Sequence, residues 1–482
     1  MSGTDGMQQA PGHLLQELLA GLGVEPDVGR SVAFTSADPV VPSRFRLGTA
    51  SAVALAAQAA CVRELWRLRS GHDQTLAVDI GQAAYPGLCT FLHLSQNGHR
   101  LRFVRERGGL SGNFFETRDG RRFYLFYNAN YIEHCLRVHR FLGATTSVDS
   151  LREKVRAWDA AALEEALAEQ RLIGAYARTR QEWLDHPQGA QLGRLAAADV
   201  RMTRPSEPEP PGPGLRPLSG IRVVDMGHVL AGPVTSRVLA EQGAEVIHVS
   251  AAHQPDGLLM DLDTGLGKRT AFVDLDDAAD RRRLRALIAS ADVFIHSWRP
   301  GVLERRGFSA QALAELRPGL VYAALSCYGH EGPWAERGGY EPMGQTVSGL
   351  AIAEGSAQAP RLAATFTLND YLTAYLTAAG VAAALLRRAR HGGSYEVHTS
   401  LTRTSMWVQD LGRLDEAFWP EGPRGVRDMP ALDPAWLQQS ASVFGTLTHP
   451  RPIVQYEKTP AYWARPPMPV GACAPAWEDS AA

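Results

Sequence analysis

The sequence predicts an α/β protein, a doubly wound parallel sheet accompanied by a smaller α+β domain. Three observations carry that expectation. From Gly220 to about residue 400, β-branched and aliphatic runs alternate with helical patterns, the rhythm of parallel strands joined by helical crossovers. A Pro/Gly-rich stretch, TRPSEPEPPGPGLRPL from Thr203 to Leu218, sets this region apart from what precedes it; prolines remove backbone donors and hold the chain extended, as in a linker. The preceding part combines a hairpin-like stretch, ETRDGRRFYLFYN, with helices rich in Ala, Leu and Glu from about Val155 to Ala175.

The elements follow in order. LGTASAVALAAQAACVRELWRLRSG, Leu47 to Gly71, reads as a helix followed by the strand TLAVDI. After the Pro-rich stretch come the strand GIRVVDM, the turn GHVLAGP, the helix VTSRVLAEQGA and the strand EVIHVS ending at Ser250. AFVDLD around Asp274, the helix DRRRLRALIASA, the strand DVFIHSW, the helix LAELRP and the strand LVYAALSCYG continue the alternation. A long helix, Tyr371 to Arg390, is preceded by Asn369-Asp370 and stopped by His391-Gly392-Gly393, with arginines in its last turn as the macrodipole favours. The strand SYEVHTSL follows. Leu47–Gly71 aligns without gaps on Leu368–Gly392 with seven of 25 positions identical, each segment leading into a strand, which suggests a degenerate internal copy.

Composition excludes several function classes. The 482 residues are 45% hydrophobic and 21% charged, with 49 Lys+Arg against 51 Asp+Glu, so neither a disordered chain nor a polyanion-binding field is expected and no nucleic acid partner is indicated. Five scattered cysteines without a C-x-x-C pair argue against a disulfide framework or a zinc site and suit a reducing cytoplasm. The first residues lack a basic-then-apolar signal pattern, and the uncharged run Tyr371–Leu386 is too short to span a bilayer, so no membrane association is expected.

Among chemistry-bearing positions, GHVLAGP (Gly227–Pro233) joins a strand to a helix where a phosphate-bearing ligand would meet unpaired amides, although an ordinary tight turn reads the same way. It lacks the G-x-G-x-x-G spacing, and the following strand ends at Ser250 instead of an acid, as a nicotinamide site would not. Lys268, Arg269, Arg299, Arg305 and Arg306 stand in candidate loops, where cations hold phosphates through charge-assisted bonds; surface arginines are the alternative. Asp370 opens the long helix and has two readings: a helix N-cap, or a free carboxylate just outside the cap with Asn369 capping instead. There is no G-x-S-x-G, H-E-x-x-H or P-loop, and His134 and His139 miss the i,i+4 spacing of a helical metal pair; no metal is expected.

LSGIRVVDMGHVLAGPVTSRVLAEQGAEVIHV, GKRTAFVDLD, ADVFIHSWRPGVLERRGFS, RPGLVYAALSCYGHEGPW and the Asp370 helix, in that order over about Leu218 to Leu401, resemble the class III CoA-transferases of the CaiB/BaiF family. The resemblance implies a Rossmann-like CoA-binding domain at 219–401 carrying the catalytic Asp. Residues 1–202 would hold the degenerate copy plus the small α+β domain, 203–218 the linker, and 402–482 a C-terminal return segment, in a segment order rearranged from the family's. It implies CoA exchange between an acyl-CoA and a small carboxylic acid through an anhydride on Asp370 and then an enzyme-CoA thioester, CoA serving as substrate. It further implies that Val229 and Ala231 line the CoA channel, that Lys268 lies near the adenosine, and that Trp298 and Arg305 meet the nucleotide. Tyr328 would stand near the thioester, and Gly108, Gly109 and Gly112 would form a loop shielding the intermediate. A homodimer is the family's habit. Thr49 takes the place of Asp370 in the first copy, so one active centre per chain is expected. The family's frequent Gln in the first loop is Leu230 here, and the polar pair after I-x-V is Ser250-Ala251. These departures motivate an alternative, a catalytically silent CoA-binding member; an acyl-CoA racemase, disfavoured by Gly339-Tyr340-Glu341 in place of a His-Asp pair, and a nicotinamide oxidoreductase are further alternatives.

Overall fold

Val32–Thr35 (β1) and Leu76–Asp79 (β2) pair in parallel, joined through the helix Leu47–Ser70 (α1). The computed structural model describes residues 10–101, 114–128, 131–253, 256–365, 367–419 and 432–478. Gly108, Gly109 and Gly112 lie outside them. Of α1, the stretch from Leu47 to Leu65 is entirely buried, as an Ala-rich helix without a polar face must be.

The small α+β domain follows. Phe114–Glu116 (β3), Arg122–Leu125 (β4) and Gly174–Tyr176 (β5) form an antiparallel sheet in that order. Helices Ile132–Leu142 (α2), Val148–Arg156 (α3) and Ala160–Glu169 (α4) cover it around Phe123, Leu151, Leu163 and Leu167.

The main sheet has seven strands: Asp199–Arg204 (β6), Arg222–Met226 (β7), Glu245–Ser250 (β8), Lys268–Phe272 (β9), Val293–His296 (β10), Val321–Ser326 (β11) and Ser394–Ser400 (β12). Their spatial order is β9-β8-β7-β10-β11-β12-β6. All pairings are parallel except that of β6 with β12. Strand order reverses between β7 and β10, so the loops leaving these two strands flank the crevice where doubly wound sheets bind ligands. The expected doubly wound α/β fold with a smaller α+β domain is what the chain adopts. The helices Ala231–Ala240 (α5) and Leu368–His391 (α6) lie on one face of the sheet, and α6 packs along α1, small side chains on both letting the backbones approach.

Two local expectations need correction. The strand expected around Asp274 occupies Lys268–Phe272 instead, because Lys268 finds a buried ionic partner and can enter the sheet. The Pro-rich stretch is also less free than a linker would be. Its first residues belong to β6, and Glu209 holds Arg317 at 2.7 Å against the sheet. Near the C-terminus, Val454–Tyr456 (β13) returns to pair antiparallel with β2. No helix among the described residues is long and apolar enough to cross a membrane.

Candidate active site

The last residues of β7 build the first part of the site. Asp225 is fully buried, yet its carboxylate accepts from Lys268 Nζ at 2.9 Å, His248 Nδ1 at 3.0 Å, Ser236 Oγ at 2.6 Å and the Gly227 N–H at 2.8 Å. Although burial opposes ionisation, the Lys268 and His248 charges hold Asp225 well below the carboxylate range. Lys268 Nζ also donates to the Pro233 carbonyl at 2.6 Å. One ion pair therefore ties both ends of GHVLAGP to the sheet. This corrects the open position expected for Lys268, which is 1% exposed and reaches a ligand only through the loop it braces.

Within that loop Val229 has φ +62°, a left-handed conformation that a β-branched residue adopts at a cost of roughly 1–3 kcal/mol. Its N–H donates to Asp256 Oδ2 at 2.8 Å. Leu230 points into the core and Ala231 begins α5. Across the crevice, the loop after β10 presents Trp298, half-buried and edge-on to His228 with centroids 4.7 Å apart. Arg305 is exposed and folds back under Gly301, whose φ of +84° and lack of a Cβ leave room for the guanidinium. The two loops thus bring Val229, Ala231, Trp298 and Arg305 to the same end of the sheet.

Asp370 is the third residue of α6, inside its first turn; Thr367 is the N-cap and makes no side-chain cap. Neither expected capping arrangement occurs. Asn369 instead accepts from Ser405 Oγ at 2.9 Å, and its own N–H donates to Glu341 Oε1 at 3.0 Å. The cap comes from a distant carboxylate, leaving Asp370 half-buried and uncommitted among the described residues. Burial pushes the Asp370 carboxyl up to about 7. Glu341, buried and near Asp370, is pushed well above its usual range by burial and then by the Asp370 charge. Ionisation of either carboxyl disfavours ionisation of the other. Glu341 Oε1 also accepts from Gln345 Nε2 at 2.6 Å, while Oε2 is buried without a partner among the described residues.

Rings of the small domain pack on Tyr340, the residue before Glu341. Phe126 stacks on Tyr340 at 4.5 Å, and Tyr131 lies 5.2 Å from the same ring. Burial, followed by the nearby Tyr340 hydroxyl and charges, raises the Tyr131 hydroxyl out of any titrating range. Asp256, in the loop after β8 and bonded to the Val229 N–H, and Asp370 are both among those charges. Tyr328 packs its ring edge-on against Trp334 at 5.1 Å and lies beside Gly339, two residues before Glu341. Its neighbour Cys327 is the residue that feels both Glu341 and Asp370.

Residues 218–435 match the family described as CoA-transferase family III. That stretch is similar to this family. It is similar to acetyl-coenzyme A transferase nodX from Hypoxylon pulicicidum, 31% identical over 352 residues, 68% of this chain and 59% of that protein. It is also similar to the succinyl-CoA–L-malate CoA-transferase alpha subunit of Chloroflexus aurantiacus, 32% identical over 224 residues, 43% of this chain and 51% of that one. A crystal structure of a CAIB/BAIF family protein from Brucella suis is 26% identical with a TM-score of 0.38, covering 48% of this chain and 65% of that one. The chain spans less than two thirds of the length of each of these relatives.

The first-copy position is informative. Thr49 is buried in the first turn of α1, where Asp38 accepts the Gly48 and Thr49 N–H groups at 3.0 and 2.7 Å. A carboxylate of the chain itself occupies that helix start. At the end of β8, Ser250 Oγ is buried and unpartnered among the described residues. Sequence reasoning missed Glu341, Tyr340 and Tyr131. The stretch Gly339-Tyr340-Glu341 was weighed only for a missing His-Asp pair, and nothing local to Tyr131 signals that it meets Tyr340 across 209 residues of chain. No group of three or more His, Cys, Asp or Glu among the described residues could hold a metal ion.

Proposed function

We propose that the protein moves CoA between an acyl-CoA and a small carboxylic acid, with Asp370 as nucleophile. The observation that carries this reading is the uncommitted Asp370 carboxylate at the start of α6, with its pKa raised to about 7 and a second carboxyl, Glu341, beside it. An oxygen of ionised Asp370 bonds to the thioester carbonyl carbon, and the C–S bond breaks with its electron pair leaving as CoA thiolate. The mixed anhydride is then attacked at the aspartyl carbonyl by that thiolate, which releases the donor acid as carboxylate and leaves CoA in thioester linkage to Asp370. An acceptor carboxylate attacks this thioester, forming a new anhydride and expelling thiolate. Attack of the thiolate on the acceptor's carbonyl carbon gives the new acyl-CoA and restores the Asp370 carboxylate. No net proton is consumed.

The surroundings suit this sequence. Desolvation raises the energy of the ionised nucleophile, and the amide dipole of the α6 start favours the negative charge that remains. Neutral Glu341 adds no second charge at the moment of attack and offers a donor from Oε2. The braced loop after β7 and the Trp298 loop are the proposed walls of the CoA channel, and the Phe126–Tyr131–Tyr340 rings the lid that keeps water from the anhydride. Substrates, a homodimeric assembly and a cytoplasmic location belong to this proposal.

Intact-protein mass spectrometry after exposure to a set of acyl-CoAs tests it. The expected result is a mass increase that hydroxylamine removes, borohydride reduction of the thioester form, and neither in Asp370→Asn. A second reading, a CoA-binding member without turnover, is favoured by Leu230, Ser250 and Ala251; CoA binding with no adduct and no exchange over a broad acid panel would select it.

A further inference from the structure

Apart from the main sheet and the Asp370 end of α6, a small antiparallel sheet joins the strands Leu437–Ser442, Gly445–Pro450, Ser95–Gln96 and His99–Arg100 in that order. In its outer hairpin Ser440 pairs with Leu447. His449 is two residues further along the partner strand, so it stands diagonally across from Ser440 on the same face, within reach of a long side chain. The side chains close that gap: Ser440 Oγ and His449 Nε2 are 2.9 Å apart. On the other side of the ring, His449 Nδ1 is 2.9 Å from the Pro450 carbonyl oxygen.

These two contacts fix the tautomer. A carbonyl oxygen can only accept, so the ring proton is on Nδ1 and the bare lone pair of Nε2 faces the serine hydroxyl, which donates to it. The arrangement is that of a nucleophile with its general base, and the Pro450 carbonyl takes the orienting place that a carboxylate fills in a serine triad. The base is held still: His449 is 1% exposed, and its ring meets Trp463 edge-on with centroids 5.6 Å apart. Burial lowers its pKa despite the bond to Pro450, while the Arg237 and Asp263 charges oppose one another, so the imidazole is neutral at pH 7 and able to take a proton. Ser440 itself is half-buried and, among the described residues, lies on the outer strand of its sheet. Alternate N–H groups of such a strand face away from the sheet, so either the Ser440 or the Ala441 N–H is placed to meet an oxyanion. Cys89 makes the contrast: its Sγ lies 3.4 Å from His93 Nε2, but it is fully enclosed and its thiol is pushed up by burial.

We propose that Ser440 and His449 form an acyl-accepting centre apart from Asp370, one that takes acyl groups from activated carboxylic esters. As Ser440 Oγ bonds to the ester carbonyl carbon, its proton passes to His449 Nε2. The tetrahedral oxyanion then collapses. The bond from the carbonyl carbon to the leaving oxygen breaks with its electron pair, and that oxygen takes the proton from Nε2. The products are O-acylated Ser440 and the free alcohol, with His449 neutral again. This centre does not rest on the CoA-transferase reading.

The probe is p-nitrophenyl acetate, applied to the full chain carrying Asp370→Asn so that no aspartyl anhydride can form; digestion and mass spectrometry then locate the acetyl group. It should appear on Ser440 and survive neutral hydroxylamine, which strips anhydrides and thioesters. Adding Ser440→Ala should abolish it. His449→Asn keeps an amide donor for the Pro450 carbonyl but offers no base, and should slow acetylation of Ser440 about 100-fold or more. Ser442 provides a control within the same strand, because its Oγ donates to the Gly445 carbonyl and not to a base. Ser440 should therefore outpace Ser442 by a similar factor of about 100, a comparison that holds even if His449→Asn fails to fold. Acetyl groups confined to lysines or the terminus overturn the proposal. Equal acetylation of Ser440 and Ser442 overturns it too, as does a Ser440 rate unchanged in a folded His449→Asn.

Discussion

Replacing Asp370 by Asn should make the protein more stable and inactive, and the stabilisation should depend on pH. Burial raises this carboxyl from an ordinary 3.8 to about 7. At about 1.4 kcal/mol per decade, the rise corresponds to about 4 kcal/mol, an upper bound because the side chain is only half-buried. The sign follows from linkage. Below the unfolded-state pKa both states are protonated and the folded state suffers nothing. As pH climbs toward 7 the unfolded chain ionises first, so native stability is lost, and the loss is complete once the folded carboxyl has also ionised. Asn never ionises and escapes the loss. Loss of the Asp370 charge also relieves Glu341, which works in the same direction. Urea unfolding at pH 4.5 and pH 8.5 is the assay: Asp370→Asn should exceed wild type by up to about 4 kcal/mol at the higher pH and by much less at the lower one. CoA exchange should fall on the order of 10³-fold or more. A stability difference independent of pH, or a variant that retains exchange, would refute the reasoning.

Lys268→Met should lower stability by about 3–5 kcal/mol, since it strands the buried Asp225 carboxylate, and should weaken CoA binding by loosening both ends of GHVLAGP; thermal melts and titration of CoA read the two effects. Val229→Gly should stabilise the fold by about 1 kcal/mol through relief of the left-handed valine, partly offset by the freer unfolded chain, and denaturant midpoints would show a decrease if the conformation were unstrained.

The alternation of strand and helix was readable because each strand of the main sheet is a short apolar run between turn residues, and the parallel order follows once crossovers are helical. Asp370 was readable as chemistry only because the surrounding segments resemble a known family in order. The true cap of α6 was not, because Glu341 reaches it from 28 residues away through packing that no local pattern records. The same applies to Lys268: a lysine in a strand looks solvent-facing until Asp225, 43 positions earlier, is folded beneath it.

The exchange of edge strands between the two parts of the chain bears on how it can be divided. β6, from before the proline-rich stretch, completes the sheet built after it, and β13, from near the far end, completes the sheet built at the beginning. Severing the backbone between them would leave two fragments clasped through reciprocal main-chain ladders and the α1–α6 contact, each presenting a bare sheet margin if separated. Such fragments are suited to reassembly when co-expressed and poorly suited to being purified alone.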